Sequence, residues 1–526
     1  MIARKAVIVG TGAGGLSAAA HLAREGFDVV ALDRADRIGG YLAPFKADGY
    51  TFDPGVHYVG QVRPGGLLND VLGGLGIDVS RSFLEMDPDG FDVYRFPDLE
   101  IRMCRGLERY RDRLASVFPA ERDGLRRVFE IVSRYGEVSR LLMLPGRRQL
   151  SDLPAALKMP SVLRWERATF RELLGHYLKT PRARAVLAAP GGDVALPPSK
   201  MAALAGIGVL DYYSDGAFFP RGGTGPLRDA LVGRAEQDGA RFRTNANVVE
   251  ILVRNGAVTG VLLDGGERIE ADVVVSDADP TVTFGKLLDP SDVPYKLQQK
   301  VEDTRPSFST FVIYLGMNRD LRSRGFGAFN VWDYPSWDLD ALYAPLFTRE
   351  LPRDHGLFLS SSTTRDDTGT LAPEGCSTLQ IATLLPWEIF APWADVPPEE
   401  RDSEYHQLRQ QITEQLLEAV EKRWPGLVGD VVVQRVWTPL SNADYTGAVH
   451  GGIYGPAHVP DQMGRRRFRS RTPIRGLYLT GSGVYGAGIG PCFAAGRAAA
   501  TFAVRAQPSA AEKGPRHGFG RLLHAR

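Results

Sequence analysis

The chain has 526 residues, with 63 basic and 62 acidic side chains. That length exceeds one ordinary core, so two domains or lobes are expected, and the charge balance excludes a basic nucleic-acid surface. The three cysteines, Cys104, Cys376 and Cys492, are far apart and show no metal spacing; they read as reduced thiols, and no metal is expected.

The chain enters an apolar strand at once, AVIVG, with no leader-like stretch, and a cytoplasmic location is expected. Residues 6–40 read AVIVGTGAGGLSAAAHLAREGFDVVALDRADRIGG. This is strand, GxGxxG, helix, second strand and acid, in that order, the pattern of a dinucleotide fold. Gly10 permits the tight turn, Gly12 lets a pyrophosphate approach the backbone, and Gly15 lets helix pack on strand. Ala13 and Gly14 open the helix whose N-terminus meets the phosphates, and Asp33 reaches the ribose hydroxyls, with Arg34 beside it. The continuation DRADRIGG, with Gly39 and Gly40, is similar to FAD proteins of the glutathione-reductase and amine-oxidase type; many NAD domains go straight into a helix instead.

Residues 52–60, FDPGVHYVG, set Asp53, His57 and Tyr58 in a glycine-punctuated loop. Asp53 is expected to hold that loop by accepting backbone N–H bonds beside Pro54. Residues 139–170 mix Leu, Met and Trp165 with arginines that include Arg147 and Arg148. This segment reads as a solvated helical lid, with a membrane-facing mouth as the alternative. Residues 218–280 predict a helix beginning near Pro226, then strands joined by turns at Asn255-Gly256 and Gly265-Gly266. The backbone around Val248 is expected to meet an adenine.

Residues 307–317, 355–363 and 377–390 are strand-like, and an amphipathic helix follows with Leu408, Ile412, Leu416, Val420 and Trp424 on one face. Sheet and helix would serve a long apolar substrate as floor and roof. RRRFRSR (465–471) reads as a solvated loop. Residues 472–497, TPIRGLYLTGSGVYGAGIGPCFAAGR, are a strand, a glycine run and a helix. No strand-and-acid continuation follows, so this is not a second NAD domain, and its glycines and Pro491 argue against a membrane span. Gly481, Ser482, Gly488 and Ile489 are expected beside the cofactor, where a helix N-terminus can stabilise negative charge on a reduced flavin. The polar tail, 506–526, reads as a mobile end.

From VIVGTGAGGL to GRAAATF the chain resembles the phytoene desaturase, carotenoid isomerase and retinol saturase superfamily. PRGGTGPLRDAL, ADVVVSDADP and TPIRGLYLTG carry the general resemblance. FDPGVHYVG and GGDVALPPSKMA (191–202) are similar to the retinol saturase branch. The resemblance implies an α/β fold: a Rossmann-type FAD-binding domain from residues 1–80, 215–290 and 430–505, and a mixed-sheet and helical substrate domain from 81–214 and 291–429. It implies that Gly55, Val56, His57 and Tyr58 line the isoalloxazine, with His57 and Tyr58 as catalytic candidates. A histidine with a pKa of about 6.5 suits proton transfer. The implied function is an FAD-dependent oxidoreductase on carbon–carbon double bonds of a polyene: a carotenoid, a retinoid or a polyene secondary metabolite. A saturase-like reductase, with cyclisation as an option, is the leading reading. Desaturation, non-redox cis–trans isomerisation and a non-enzymatic prenyl-binding escort role are the alternatives. NAD(P)H or a separate reductase would supply electrons, and peripheral membrane contact would suit the substrate.

Overall fold

The computed structural model describes residues 3–143 and 153–506. The tail beyond Ala506, and Arg147 and Arg148 of the basic segment, lie outside the described residues.

Five parallel strands form the first sheet, in the order Leu477–Leu479, Val273–Ser276, Lys5–Val9, Asp28–Leu32 and Arg241–Arg243. Its inner strands are β-branched runs buried on both faces, as a helix-covered parallel sheet requires. Two helices lie together on it, Ala13–Arg24 and Ile489–Arg505. They approach closely because the residues between them are small. A Cβ added at Gly496 would sit 2.3 Å from the Gly14 carbonyl oxygen and 2.8 Å from the Ala18 nitrogen. The Ser17 hydroxyl donates across the same contact to the Phe493 carbonyl at 2.7 Å.

An antiparallel three-stranded sheet follows, Val248–Arg254, Ala257–Leu263 and Arg268–Glu270. Its first hairpin turns at Asn255-Gly256, both with positive φ (52° and 70°), the conformation a tight two-residue hairpin demands. The helix expected near Pro226 runs Thr224–Gln237. Proline is tolerated in its first turn because no intrahelical N–H bond is due there.

The second large sheet has seven strands, in the order Val431–Trp437, Ser309–Met317, Ser377–Leu385, Leu357–Ser360, Asn330–Asp333, Asp92–Phe96 and Leu99–Met103. It is mixed, with Asn330–Asp333 parallel to Asp92–Phe96 and the remaining pairs antiparallel. One boundary needs correction. Residues from 430 were assigned to the nucleotide domain, yet Val431–Trp437 pairs with Ser309–Met317 as the edge of this second sheet. Its apolar pattern suits either sheet, and only the long-range pairing chooses.

The strand Ser309–Met317 is buried along its whole length but divides its side chains by parity. Phe311, Ile313 and Leu315 share a core with Ile412, Leu416 and Val420 of the helix Ser403–Arg423. Val312 and Tyr314 belong to the core on the other face. That helix therefore covers the back of the sheet and is no roof to a substrate. The helix over the front is Leu339–Thr348. In the basic segment, Leu153–Leu163 is helical; Trp165 is buried against His176 and Tyr177, while Leu157 is exposed. Among the described residues no helix is long and apolar enough to cross a membrane.

The helix–helix contact makes a direct prediction. Gly496→Leu would drive a side chain into the Gly14 backbone, an overpacking that costs about 3 kcal/mol or more. A urea unfolding series should show a markedly lowered midpoint; an unchanged midpoint would mean the helices separate freely.

Candidate functional site

A cavity of about 550 Å³ runs between the two glycine loops. At one end Gly10, Gly12, Ala13 and Gly14 line it, with Asp33 and Arg34 from the end of the second strand and Val248 opposite. Gly40, Gly55, Val56, His57 and Tyr58 line it too, as do Gly481, Ser482, Gly488 and Ile489. Gly15 and Gly39 do not line it. Gly15 lies beneath, where a Cβ would sit 2.0 Å from the Gly10 carbonyl oxygen. Gly39 donates its N–H to Thr11 Oγ1 at 3.2 Å and packs against Arg228. Both shape the loop from behind.

Two helix N-termini open onto the cavity. The helices Ala13–Arg24 and Ile489–Arg505 start at Gly12 and Gly488, and neither N-cap makes a side-chain capping bond. Helix N-termini present unpaired N–H groups and partial positive charge, and both suit phosphate and an electron-rich ring. Asp33 braces the first loop, accepting from the Thr11 nitrogen (2.8 Å) and the Ala35 nitrogen (2.9 Å). Asp277, which sequence reasoning missed, lies under both glycine loops. An added Cβ at Gly12, Gly14 or Gly481 would sit 2.4–2.8 Å from its carboxylate oxygens. Burial raises its pKa to about 8, against the N–H groups of Gly15 and Gly12. Thr480 presents a buried hydroxyl with no partner on the same wall. The residues present fit a flavin dinucleotide: a glycine cradle and helix N-terminus for the pyrophosphate, an acid for the ribose, and a second helix N-terminus for the ring.

The expected solvated loop 465–471 keeps Arg465, Arg469 and Arg471 exposed and is corrected at one arginine. Arg467 is buried, donating to the Ser482 carbonyl at 2.5 Å and the Pro456 carbonyl at 3.3 Å. Carbonyl oxygens replace its water, and the guanidinium pins the second glycine loop. His458, also buried, accepts the Ala487 N–H at 3.2 Å.

A second, smaller cavity of about 150 Å³ opens beside the first. Tyr41, Gly55, His57, Asp193, Ile453 and Tyr454 line both. The seven-stranded sheet supplies its floor through Val312, Trp332, Phe358 and Ala382, and Leu342, Tyr343 and Leu346 supply its roof.

The FDPGVHYVG loop is placed at this junction, with one correction, at His57. Asp53 is completely buried and holds the loop by accepting the Thr224 backbone nitrogen (2.8 Å) and hydroxyl (2.6 Å), which ties it to a helix start. Gly55 is small because the Tyr41 ring lies against it, 2.7 Å from where a Cβ would be. His57 does not titrate near neutrality. Burial, then the nearby Arg365 charge, pushes its pKa down to about 3. Its ring lies 4.9 Å from that of Phe358, and its carbonyl accepts the Arg365 guanidinium at 2.8 Å.

Tyr58 is also buried, stacked on Tyr213 at 4.5 Å. Its hydroxyl oxygen lies 3.0 Å from Asp92 Oδ2 and 3.0 Å from Asp193 Oδ2. Asp92 also accepts from Asn330 Nδ2 (3.1 Å), Trp332 Nε1 (3.2 Å) and the Tyr94 hydroxyl (3.3 Å). Burial nevertheless raises its pKa to about 7. Asp193 is raised well above the carboxylate range by burial and by Asp92. Arg365 is buried beside them, its pKa lowered to about 10 by burial and supported by Asp92, Tyr58 and Asp53. Asp92, Asp193 and Arg365 come from three separate stretches; of these only GGDVALPPSKMA carried a signal.

Residues 13–502 match the model of the flavin containing amine oxidoreductase family. All-trans-retinol 13,14-reductase of Danio rerio is 27% identical over 501 residues, covering 90% of this chain and 82% of that protein. A chloroplastic prolycopene isomerase of an Oncidium hybrid cultivar is 28% identical over 505 residues, covering 91% and 80%. Putrescine oxidase bound to putrescine superposes with a TM-score of 0.63 at 16% identity, covering 96% of this chain and 99% of that one. An oxidoreductase from Methanosarcina mazei gives 0.62 at 16%, covering 95% and 100%. At such identity the solved structures speak for the fold. With the matched model spanning almost the whole chain and both nucleotide loops in place around one cavity, this chain belongs to the flavin containing amine oxidoreductase family.

Proposed function

We propose that the chain is an FAD-dependent reductase of carbon–carbon double bonds in a long conjugated polyene. One observation carries the reading: the aromatic-walled cavity adjoins the dinucleotide cavity, the two sharing Tyr41, Gly55, His57, Asp193, Ile453 and Tyr454 in their walls. An elongate apolar molecule lying there presents a double bond from its length to the flavin. Two relatives are named for retinol and for prolycopene, both conjugated polyenes, and this supports the substrate class. The prolycopene isomerase likeness keeps cis–trans isomerisation as the second reading.

Bound and reduced, the flavin supplies hydride to a conjugated carbon. The chain's own residues bind and orient. The Ser309–Met317 strand and the Leu339–Thr348 helix sandwich the polyene, and their apolar side chains keep water from the reacting carbons. Arg365 holds the His57 carbonyl and so fixes the loop between the two cavities. His57 itself is neutral at physiological pH and acts as a wall.

Anaerobically reduced protein, offered carotenoids, retinoids and polyene acids, should be reoxidised by at least one, with a product two hydrogens heavier. A geometric isomer of unchanged mass would select the isomerase reading. Purified protein should carry flavin absorbance; a colourless, folded protein would favour an escort role.

Electrons pose a separate question. Among the described residues there is one dinucleotide-type parallel sheet. We therefore expect slow direct reduction by NADH or NADPH and faster reduction through a partner reductase. Stopped-flow traces with tight, saturable nicotinamide binding while polyene is bound would contradict this.

The depressed His57 pKa has a sign. The unfolded chain takes up this proton from about pH 6.5 downward and the folded chain only near pH 3, so folding stability falls as pH drops between them. His57→Phe should reduce the loss in urea midpoint between pH 7 and pH 5, and leave the pH profile of flavin reoxidation unchanged.

A further inference from the structure

We propose that Asp193 is the catalytic acid of this site, delivering its carboxyl proton to the carbon beside the one that accepts hydride, with Tyr58 and Asp92 as positioning residues. The inference rests on the polyene-reductase reading and gives it the missing proton.

Asp193 lines both cavities, at the seam where a double bond would meet the flavin. It is not sealed in the core: it is partly exposed, through the cavity.

Tyr58 has one hydroxyl hydrogen and stands 3.0 Å from each of two carboxyl groups. Asp92 has donors on both oxygens, from Asn330, Trp332 and Tyr94, so of the two carboxyls it is the better able to hold a negative charge. Arg365 adds positive charge on that side. Asp193 has no side-chain neighbour within hydrogen-bond distance but Tyr58, and pairs with no cation among the described residues. If Tyr58 donates to Asp92, its lone pairs face Asp193, and the contact is favourable only when Asp193 carries the proton. The chain then reads Asp193 O–H to Tyr58 oxygen, and Tyr58 O–H to the Asp92 carboxylate.

The remaining groups near Asp193 agree. Tyr213, Tyr334, Tyr343 and Tyr454 face it as neutral phenols, and the His57 imidazole, which lines the same two cavities, is neutral. Burial and the Asp92 charge both favour the protonated acid. Local geometry serves the arrangement. A Cβ at the neighbouring Gly192 would sit 2.1 Å from the Trp332 ring, so glycine there lets that indole reach Asp92.

The step balances. One carbon of the double bond gains hydride from the reduced flavin, and the π pair moves to its neighbour. That carbon takes the Asp193 proton, forming the second C–H bond and leaving a carboxylate. Two anions, Asp92 and Asp193, then share one phenol, and their repulsion draws a proton back from solvent through the cavity.

The test has two arms. Infrared difference spectra of oxidised protein without substrate, wild type minus Asp193→Asn at pH 7, should show a protonated-carboxyl stretch that moves in D₂O. Tyr58→Phe should shift this band. In the second arm, flavin reoxidation by polyene should slow at least ~100-fold in Asp193→Asn, with FAD absorbance retained and partial recovery in Asp193→Glu. Tyr58→Phe should move the pH profile of that rate. No acid band, or an Asp193→Asn rate equal to the parent's, overturns the proposal. If the band is present but no polyene reoxidises wild-type flavin, the polyene reading fails and with it the donor role toward a polyene; the buried acid proton stands on the spectrum alone.

Discussion

The close crossing of two helices through small residues is the constraint on which the site depends. Gly14, Ser17 and Ala18 on one helix meet Gly496 and Phe493 on the other at backbone distance. Their N-termini, more than 470 residues apart in sequence, therefore open into one cavity. The approach is permitted by missing side chains and cannot be relaxed by rotamer changes, because the obstructing atoms are backbone. Asp277 extends the same logic. It fills the space under Gly12, Gly14 and Gly481, so both loops pack against one carboxyl group.

The second sheet then decides which face meets the cofactor. Parity along Ser309–Met317 sends Phe311, Ile313 and Leu315 to the helix Ser403–Arg423 and leaves Val312 to the cavity. Because side chains alternate strictly, a slip of one residue would put the cavity wall into the back core. The loop 52–60 is tied to the start of the helix Thr224–Gln237 through Asp53 and Thr224, and to the second sheet through Gln380, which donates to the Asp53 carbonyl at 3.1 Å. The junction of the cavities is thus set by buried hydrogen bonds from both sides.

Buried charge at that junction is costly and accordingly compensated. Arg365 donates to the Ser361 carbonyl (2.9 Å), the Ser360 hydroxyl (3.0 Å) and the His57 carbonyl, and lies over the Phe219 ring at 5.4 Å. Asp92 receives donors from Asn330, Trp332 and Tyr94. Burial drives the surrounding imidazole, phenols and second carboxyl, Asp193, neutral. A neutral, dry pocket around one transferable proton suits addition across an apolar double bond, and it removes His57 from the role its residue type suggests.

The N-terminal nucleotide unit was legible because its chemistry is local: strand, glycine turn, helix and Asp33 fall within 35 consecutive residues, and each glycine has a steric reason readable from spacing. The second glycine loop and the strands of the larger sheet were legible for the same reason. The assignment of Val431–Trp437 to a sheet, and the choice of Leu339–Thr348 over Ser403–Arg423 as the cavity's roof, were not, because apolar periodicity shows that a face is buried and not what buries it. His57 stands out in sequence by its residue type, but its protonation is set by desolvation and by Arg365, 308 positions away. Asp92, Asp193 and Tyr58 form one network only because the fold brings three loops and strands to a single point. Sequence alone determined the flavin architecture and its cradle; tertiary structure decided which carboxyl holds a proton, since that depends on burial and neighbouring charge, and neither is written in local spacing.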